Sequence, residues 1–164
     1  MAPTDCGVCA DTDLVRATPA LPSGRAVVLT LIALAMGGFA IGVTEFAAMS
    51  VLPDFSRGLG VDEPTAGHAI SAYAAGVVVG APLLAVLGAK APRWLLLIVF
   101  MGLFAIGNGL SALSPTFEWM LVFRFLSGLP HGAYFGVAAL VAASIVPREI
   151  RTRAVSTILM GLTI

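Results

Sequence analysis

Arg124-Phe-Leu-Ser-Gly-Leu-Pro-His-Gly-Ala-Tyr-Phe-Gly136 is the stretch on which the fold turns. It sits inside an apolar run, residues 117–146, that is long enough to cross a bilayer. Yet it carries an arginine, a histidine, a proline and three glycines, Gly128, Gly132 and Gly136, at four-residue spacing. A helix facing lipid has no use for such groups. Charge inside a membrane helix is costly and normally faces a protein interior or a water-filled cavity. The stretch therefore predicts a helix packed among others and lining something polar.

The rest of the chain agrees in composition. Of its 164 residues, 59% are hydrophobic and 11% charged, whereas soluble domains carry about 25% charge. The mean hydropathy is +0.99. These values define an integral membrane protein, with the lipid bilayer as its first partner. The formal net charge is zero, so no bulk electrostatic case for nucleic acid arises. Cys6 and Cys9 form a Cys-Gly-Val-Cys in the polar N-terminal segment. Without a second ligand pair or a βαβ pattern they read as free thiols, kept reduced in the cytosol, with a membrane redox role as the distant alternative.

Working outward, residues 1–25 read as a flexible cytoplasmic tail and 26–164 as the membrane domain. The expected helices are 26–52, 65–87, 94–113 and 117–146, with the start of a fifth over 152–164. The first run is far longer than the apolar core of a signal peptide, so it reads as an uncleaved span. The links 53–64, 88–93, 114–116 and 147–151 are short, which predicts that sequential helices pack as antiparallel neighbours. Arg16, Arg25, Lys90, Arg93, Arg148, Arg151 and Arg153 fall on one side, and only Arg57 on the other, with Asp54, Asp62, Glu63 and Glu118. Basic residues favour the cytoplasm, so the N-terminus and the second and fourth links are expected there.

Glycines at four-residue spacing, Gly38 and Gly42, Gly76 and Gly80, and those of the opening stretch, predict close helix contacts. Lipid gives no hydrophobic drive to helix association, so small residues that let backbones approach become the means of packing. Pro82 and Pro130 each remove a backbone hydrogen bond and predict kinks.

At 1.5 Å per residue, Glu45 and Arg124 each lie roughly 10 Å below the outer surface, with opposite charge. Tyr73 and Asn108 lie at roughly 12 and 8 Å, and His131 near the midplane. Glu45 admits two readings: a carboxylate that takes up and releases a proton as access alternates, or one half of a buried ion pair with Arg124 that sets helix register. Arg124 cannot titrate and is expected to tune its neighbour. His131 is a proton carrier or an inter-helix hydrogen bonder. Tyr73 and Asn108 are expected to bond across helices, and His68 to sit at the interface. No phosphate-binding loop, metal-spaced cluster or Ser-His-Asp set is present in the sequence. Neither enzyme chemistry, a cofactor nor a metal is expected, which leaves translocation or membrane assembly.

Thr44-Glu45-Phe46, Leu52-Pro53, Pro64-Thr-Ala-Gly67, Gly80-Ala-Pro-Leu83, Gly107-Asn108 and the Arg124–Gly136 stretch occur in that order. Together they resemble the start of a major facilitator superfamily transporter, of the twelve-helix drug:proton antiporter group with its arabinose-efflux and chloramphenicol-resistance types. The resemblance implies an all-α transmembrane fold, four spanning helices and the start of a fifth, as part of an N-terminal six-helix bundle. It implies multidrug efflux across a bacterial inner membrane, with a small-molecule substrate, a proton, and the missing C-terminal half or another chain as partners. Arg124 and Gly128 match the family's fourth-helix motif, with Ser127 where glutamine is frequent. Glu45 matches an acidic position of the first helix tied to substrate or proton handling. The first and fourth helices line the central cavity of that fold, so Glu45, Arg124 and His131 are the implied coupling residues. Tyr73, Asn108, Gly128, Pro130 and Gly132 are the cavity or packing residues, and Pro130-His131 reads as a gate below the charges. In the second link Lys90 and Arg93 keep the basic positions of a family motif, while Ala85, Ala89 and Pro92 stand where glycine, aspartate and glycine are usual. Two other readings fit the spans: a small four-helix multidrug exporter acting as a dimer, and a non-transporting fragment that binds a full-length relative.

Overall fold

The structure, a computed structural model, describes residues 23–163, except for the side chains of residues 55 and 59. Cys6, Cys9, Arg16 and most of the N-terminal tail lie outside the described residues. Six α-helices follow one another: α1 (Gly24–Ser50), α2 (Leu52–Leu59), α3 (Glu63–Leu87), α4 (Arg93–Ala112), α5 (Phe117–Ile145) and, after a single 3-10 turn at Arg148–Ile150, α6 (Arg151–Thr163). Four of them, α1, α3, α4 and α5, are long and apolar enough to cross a membrane. Their outward faces carry large exposed apolar side chains such as Leu29, Val78, Val86 and Ile98. Such a surface suits lipid and would be a liability in water.

The short α2 was hidden in a link that the sequence marks by Pro53-Asp54. A proline at the start of a helix loses no bond, because the first N–H groups have no intrahelical partner. Pro53 therefore opens α2 as readily as it closes α1. The helix ends at Gly60, whose φ of 66° is the only positive one among the described glycines. There the Val61 N–H donates to Ser56 O at 3.1 Å and the Gly60 N–H to Arg57 O at 3.3 Å, the closure that a left-handed glycine permits.

Helix pairing departs from the sequential, antiparallel order expected from short links. The most extensive contact joins α3 to α5, followed by α4 to α5 and α1 to α6, while α1 and α3 barely touch. A Cβ on Gly76 would strike the Phe125 carbonyl, one on Gly80 the Leu129 backbone, and one on Gly128 the Tyr73 carbonyl. Positions rise together along both chains, so α3 and α5 run parallel. Gly38 and Gly42 meet Ile158 and Leu162, and Gly161 meets Ala35, which makes α1 and α6 a second parallel pair. Of the sequential pairs, α4 and α5 keep the expected arrangement most fully, with Gly107 against Ser127, and α5 and α6 keep it to a lesser extent. The reason is that a short link brings two helix ends together, whereas backbone contact needs small residues on facing sides.

The glycine stripe of α5 is shorter than its spacing suggests. Gly128 and Gly132 face α3, but nothing lies within 4 Å of a Cβ built on Gly136. Pro130 is buried and Pro82 exposed, and α5 and α3 continue through them.

One cross-helix bond escaped the sequence. The buried Tyr134 hydroxyl donates to Leu34 O on α1 at 2.8 Å, and its ring occupies the space a side chain at Gly37 would fill. Tyr134→Phe keeps the ring and loses the bond. We expect a loss of about 1 kcal/mol, read as a small drop in melting temperature in detergent; an unchanged melt would show the bond to be idle.

Candidate translocation cavity

A cavity of about 150 Å³ opens between α1 and α3 on the α2 side of the bundle. It exists because α1 leans on α6 and α3 leans on α5, so the two helices part where neither supports the other. Glu45, Ala48 and Met49 line it from α1, Ala69 and Tyr73 from α3, and Arg124 from α5. The spacing explains the set: residues three and four apart share a helix face, so Glu45 brings Ala48 and Met49 with it, and Tyr73 brings Ala69. The walls are apolar apart from one carboxylate, one guanidinium and one phenol.

Glu45 and Arg124 thus share one space across two helices. They do not form the ion pair that was one of the two readings from sequence, since the only ion pair among the described residues joins Arg57 to Asp54 within α2. Both side chains are half-buried. Removing a carboxylate that is unpaired in this way strands no buried partner.

His131 lies one step behind the cavity. It does not line the wall; its Nδ1 is 2.8 Å from the Tyr73 hydroxyl. The two rings are tilted by 54° with centroids 5.7 Å apart, and Phe135 covers the imidazole with a centroid separation of 5.4 Å. Gly128 makes this possible, because its missing side chain lets the Tyr73 backbone reach α5. Gly132 does the same one turn further on, against Val77 and Ala81.

Asn108 behaves otherwise than expected. Its side-chain amide donates to Phe104 O on its own helix at 2.8 Å, and no α4 residue lines the cavity. An asparagine in lipid must satisfy its donors somewhere, and the carbonyl one turn back is the nearest acceptor. Ser127, wholly buried, does likewise by donating to Arg124 O at 2.9 Å while packing against Gly107. His68 is exposed and lies 3.0 Å from Thr65 O.

At the opposite end a cavity of about 390 Å³ lies between α3, α4 and α5, lined by Ala85, Gly88, Ala89 and Arg93 among others. Lys90 and Arg93 have no carboxylate within ion-pair distance among the described residues. Ala89, where the resemblance leads one to expect an aspartate, leaves the link without a local counter-charge.

Four helices long and apolar enough to span, tight glycine contacts and a cavity whose few polar groups come from separate helices define a multi-pass membrane protein. Residues 34–164 match the Major Facilitator Superfamily model. The chain belongs to that family. It is 48% identical over 134 residues to the inner membrane transport protein YdhP of Escherichia coli K12, covering 82% of this chain and 34% of that protein. It is 39% identical over 134 residues to the putative transporter AraJ of the same strain, with the same coverage. It is 35% identical over 136 residues to a chloramphenicol resistance protein of Streptomyces lividans, covering 83% of this chain and 35% of that protein. The chain thus spans about a third of the length of the curated relatives it matches. No solved structure matches it at a significant level.

Proposed function

We propose that this chain is the N-terminal part of a proton-coupled secondary transporter that exports small molecules. The observation that carries the reading is Glu45, unpaired, in one cavity with Arg124 and Tyr73. A carboxylate in that setting binds a proton in one access state and releases it in the other. Arg124, fixed in charge, draws anionic groups of a substrate. The apolar walls suit amphiphilic cargo, and the chloramphenicol resistance relative is consistent with export of drug-like compounds. The remaining half of the fold, or another chain, closes the cavity from the facing side, because alternating access needs two bundles rocking about a shared site.

Orientation follows from charge. Arg25, Lys90, Arg93, Arg148, Arg151 and Arg153 gather at the end away from the Glu45 cavity, which supports a cytoplasmic position for that end and the N-terminus. Lys90 and Arg93 steady the cytoplasmic side through lipid phosphate or the facing half rather than through a local aspartate.

The test is transport itself. A full-length transporter that includes these residues is reconstituted into vesicles, and labelled chloramphenicol and ethidium serve as probes. An imposed pH gradient is expected to drive probe movement, and collapsing it with a protonophore to stop it. Movement indifferent to the gradient would rule out proton coupling. Gradient-driven transport by the 164-residue chain alone would favour a small dimeric exporter instead.

A further inference from the structure

Tyr73 has two faces of different character. It lines the cavity that holds Glu45 and Arg124, and its hydroxyl is 2.8 Å from Nδ1 of His131, which the cavity does not reach. We propose that Tyr73 is a hydroxyl relay between the cavity and His131, making His131 a second proton-holding site behind Glu45. The inference rests on the proton-coupled reading for its purpose, but not for its test.

The cavity can hold the water that such a path needs. A water needs roughly 10–15 Å³ of a cavity on this measure, and about 150 Å³ is present. A carboxylate, a guanidinium and a phenol supply the polar partners that an ordered water needs. In the neutral imidazole with its proton on Nε2, Nδ1 is the acceptor and Tyr73 the donor. The step then balances as a shuttle. Protonated Glu45 gives its proton to cavity water; water gives one to the Tyr73 oxygen; Tyr73 passes its own to Nδ1. Glu45 ends as a carboxylate, His131 as an imidazolium, and Tyr73 is neutral before and after.

His131 is half-buried, and its neighbours name the groups with which it can exchange a proton inside the bundle. Phe135 covers one side of the ring. Titratable and charged groups near it come from α1 (Glu45), α3 (Tyr73) and its own helix (Arg124, Tyr134). The charges of α4 and α6, Arg93, Arg151 and Arg153, lie at the helix starts, towards the opposite end. Tyr134 is committed to Leu34 O. Tyr73 is therefore the hydroxyl through which a proton passes between cavity and imidazole. A purely structural role would need only the hydrogen bond, not proton traffic.

The chain has two histidines, so in a His68→Gln background His131 is the sole imidazole. The 164-residue chain in lipid nanodiscs, labelled with ¹⁵N-histidine, is titrated by NMR. Two results are expected: the neutral form carries its proton on Nε2, and near the midpoint charged and neutral forms average into one set of signals. Tyr73→Phe is expected to slow exchange at least tenfold and split that set in two. Ala48→Leu, which leaves Tyr73 intact and fills the cavity, is expected to slow it as well. A neutral form protonated on Nδ1, or the same exchange regime in all three proteins, would overturn the relay. Loss of proton coupling in the vesicle assay would leave these spectra untouched, so the two readings fail separately.

Discussion

Gly80→Leu is expected to drive α3 off α5 and to cost the chain its fold. A Cβ at Gly80 would overlap the carbonyl oxygen and Cα of Leu129. These are backbone atoms of a continuous helix and cannot swing aside as a flexible side chain would. Overpacking typically costs about 1–3 kcal/mol, and with only backbone to yield the upper end applies. About 3 kcal/mol is more than a hundredfold in the folding equilibrium. The loss cannot be confined to one contact, because α3 with α5 is the most extensive pair in the bundle. Gly136→Leu is the matched control on α5, since nothing lies within 4 Å of its Cβ; a change within about 0.5 kcal/mol is expected. Unfolding in mild detergent, with a cysteine cross-link between α3 and α5 as reporter, separates the two. Equal stability of the two variants would mean that the glycine contact does not hold this bundle.

Glu45→Gln should abolish proton coupling in a full-length transporter that contains this chain, while insertion and fold persist. Glutamine keeps the size and hydrogen-bonding capacity of the carboxyl group and removes its titration. Breaking a buried ion pair would cost about 3–5 kcal/mol, but Glu45 has no such partner among the described residues. The fold should therefore change by less than about 1 kcal/mol. In reconstituted vesicles, gradient-driven efflux is expected to fall at least tenfold, whereas exchange of labelled for unlabelled substrate continues. Exchange needs the cavity to alternate but no net proton movement. Efflux that still follows the pH gradient in this variant would remove Glu45 as the proton site.

Much of the fold could be read in advance because it is written locally. Four runs of apolar residues declare four spans, and a charge or an amide within them declares an interior. Family membership was also legible, from motifs in the right order. Pairing was not. Gly38 and Gly42 announce a contact but not that α6 receives it. Gly136 continues a spacing that the packing does not use, because the helices part there and leave it on the wall of the cavity between α3, α4 and α5. Asn108 looked like a cross-helix bonder, and the Phe104 carbonyl one turn back claimed it. The Tyr134 bond to α1 had one faint signal, the extra glycine at position 37 beside Gly38.

For this protein, hydropathy, charge and spacing in the sequence alone determine a chain of four membrane-spanning helices with Glu45, Arg124, Tyr73 and His131 within them. These are sums and intervals along the chain, and they hold whichever helices meet. The tertiary structure decided that Glu45 and Arg124 share a cavity without pairing, and that Tyr73 stands between that cavity and His131. Both depend on how each helix is rotated about its axis and on which neighbour its small residues admit. In lipid, where apolar faces have no preference among partners, that rotation is set by backbone contact and hydrogen bonding between helices distant in sequence.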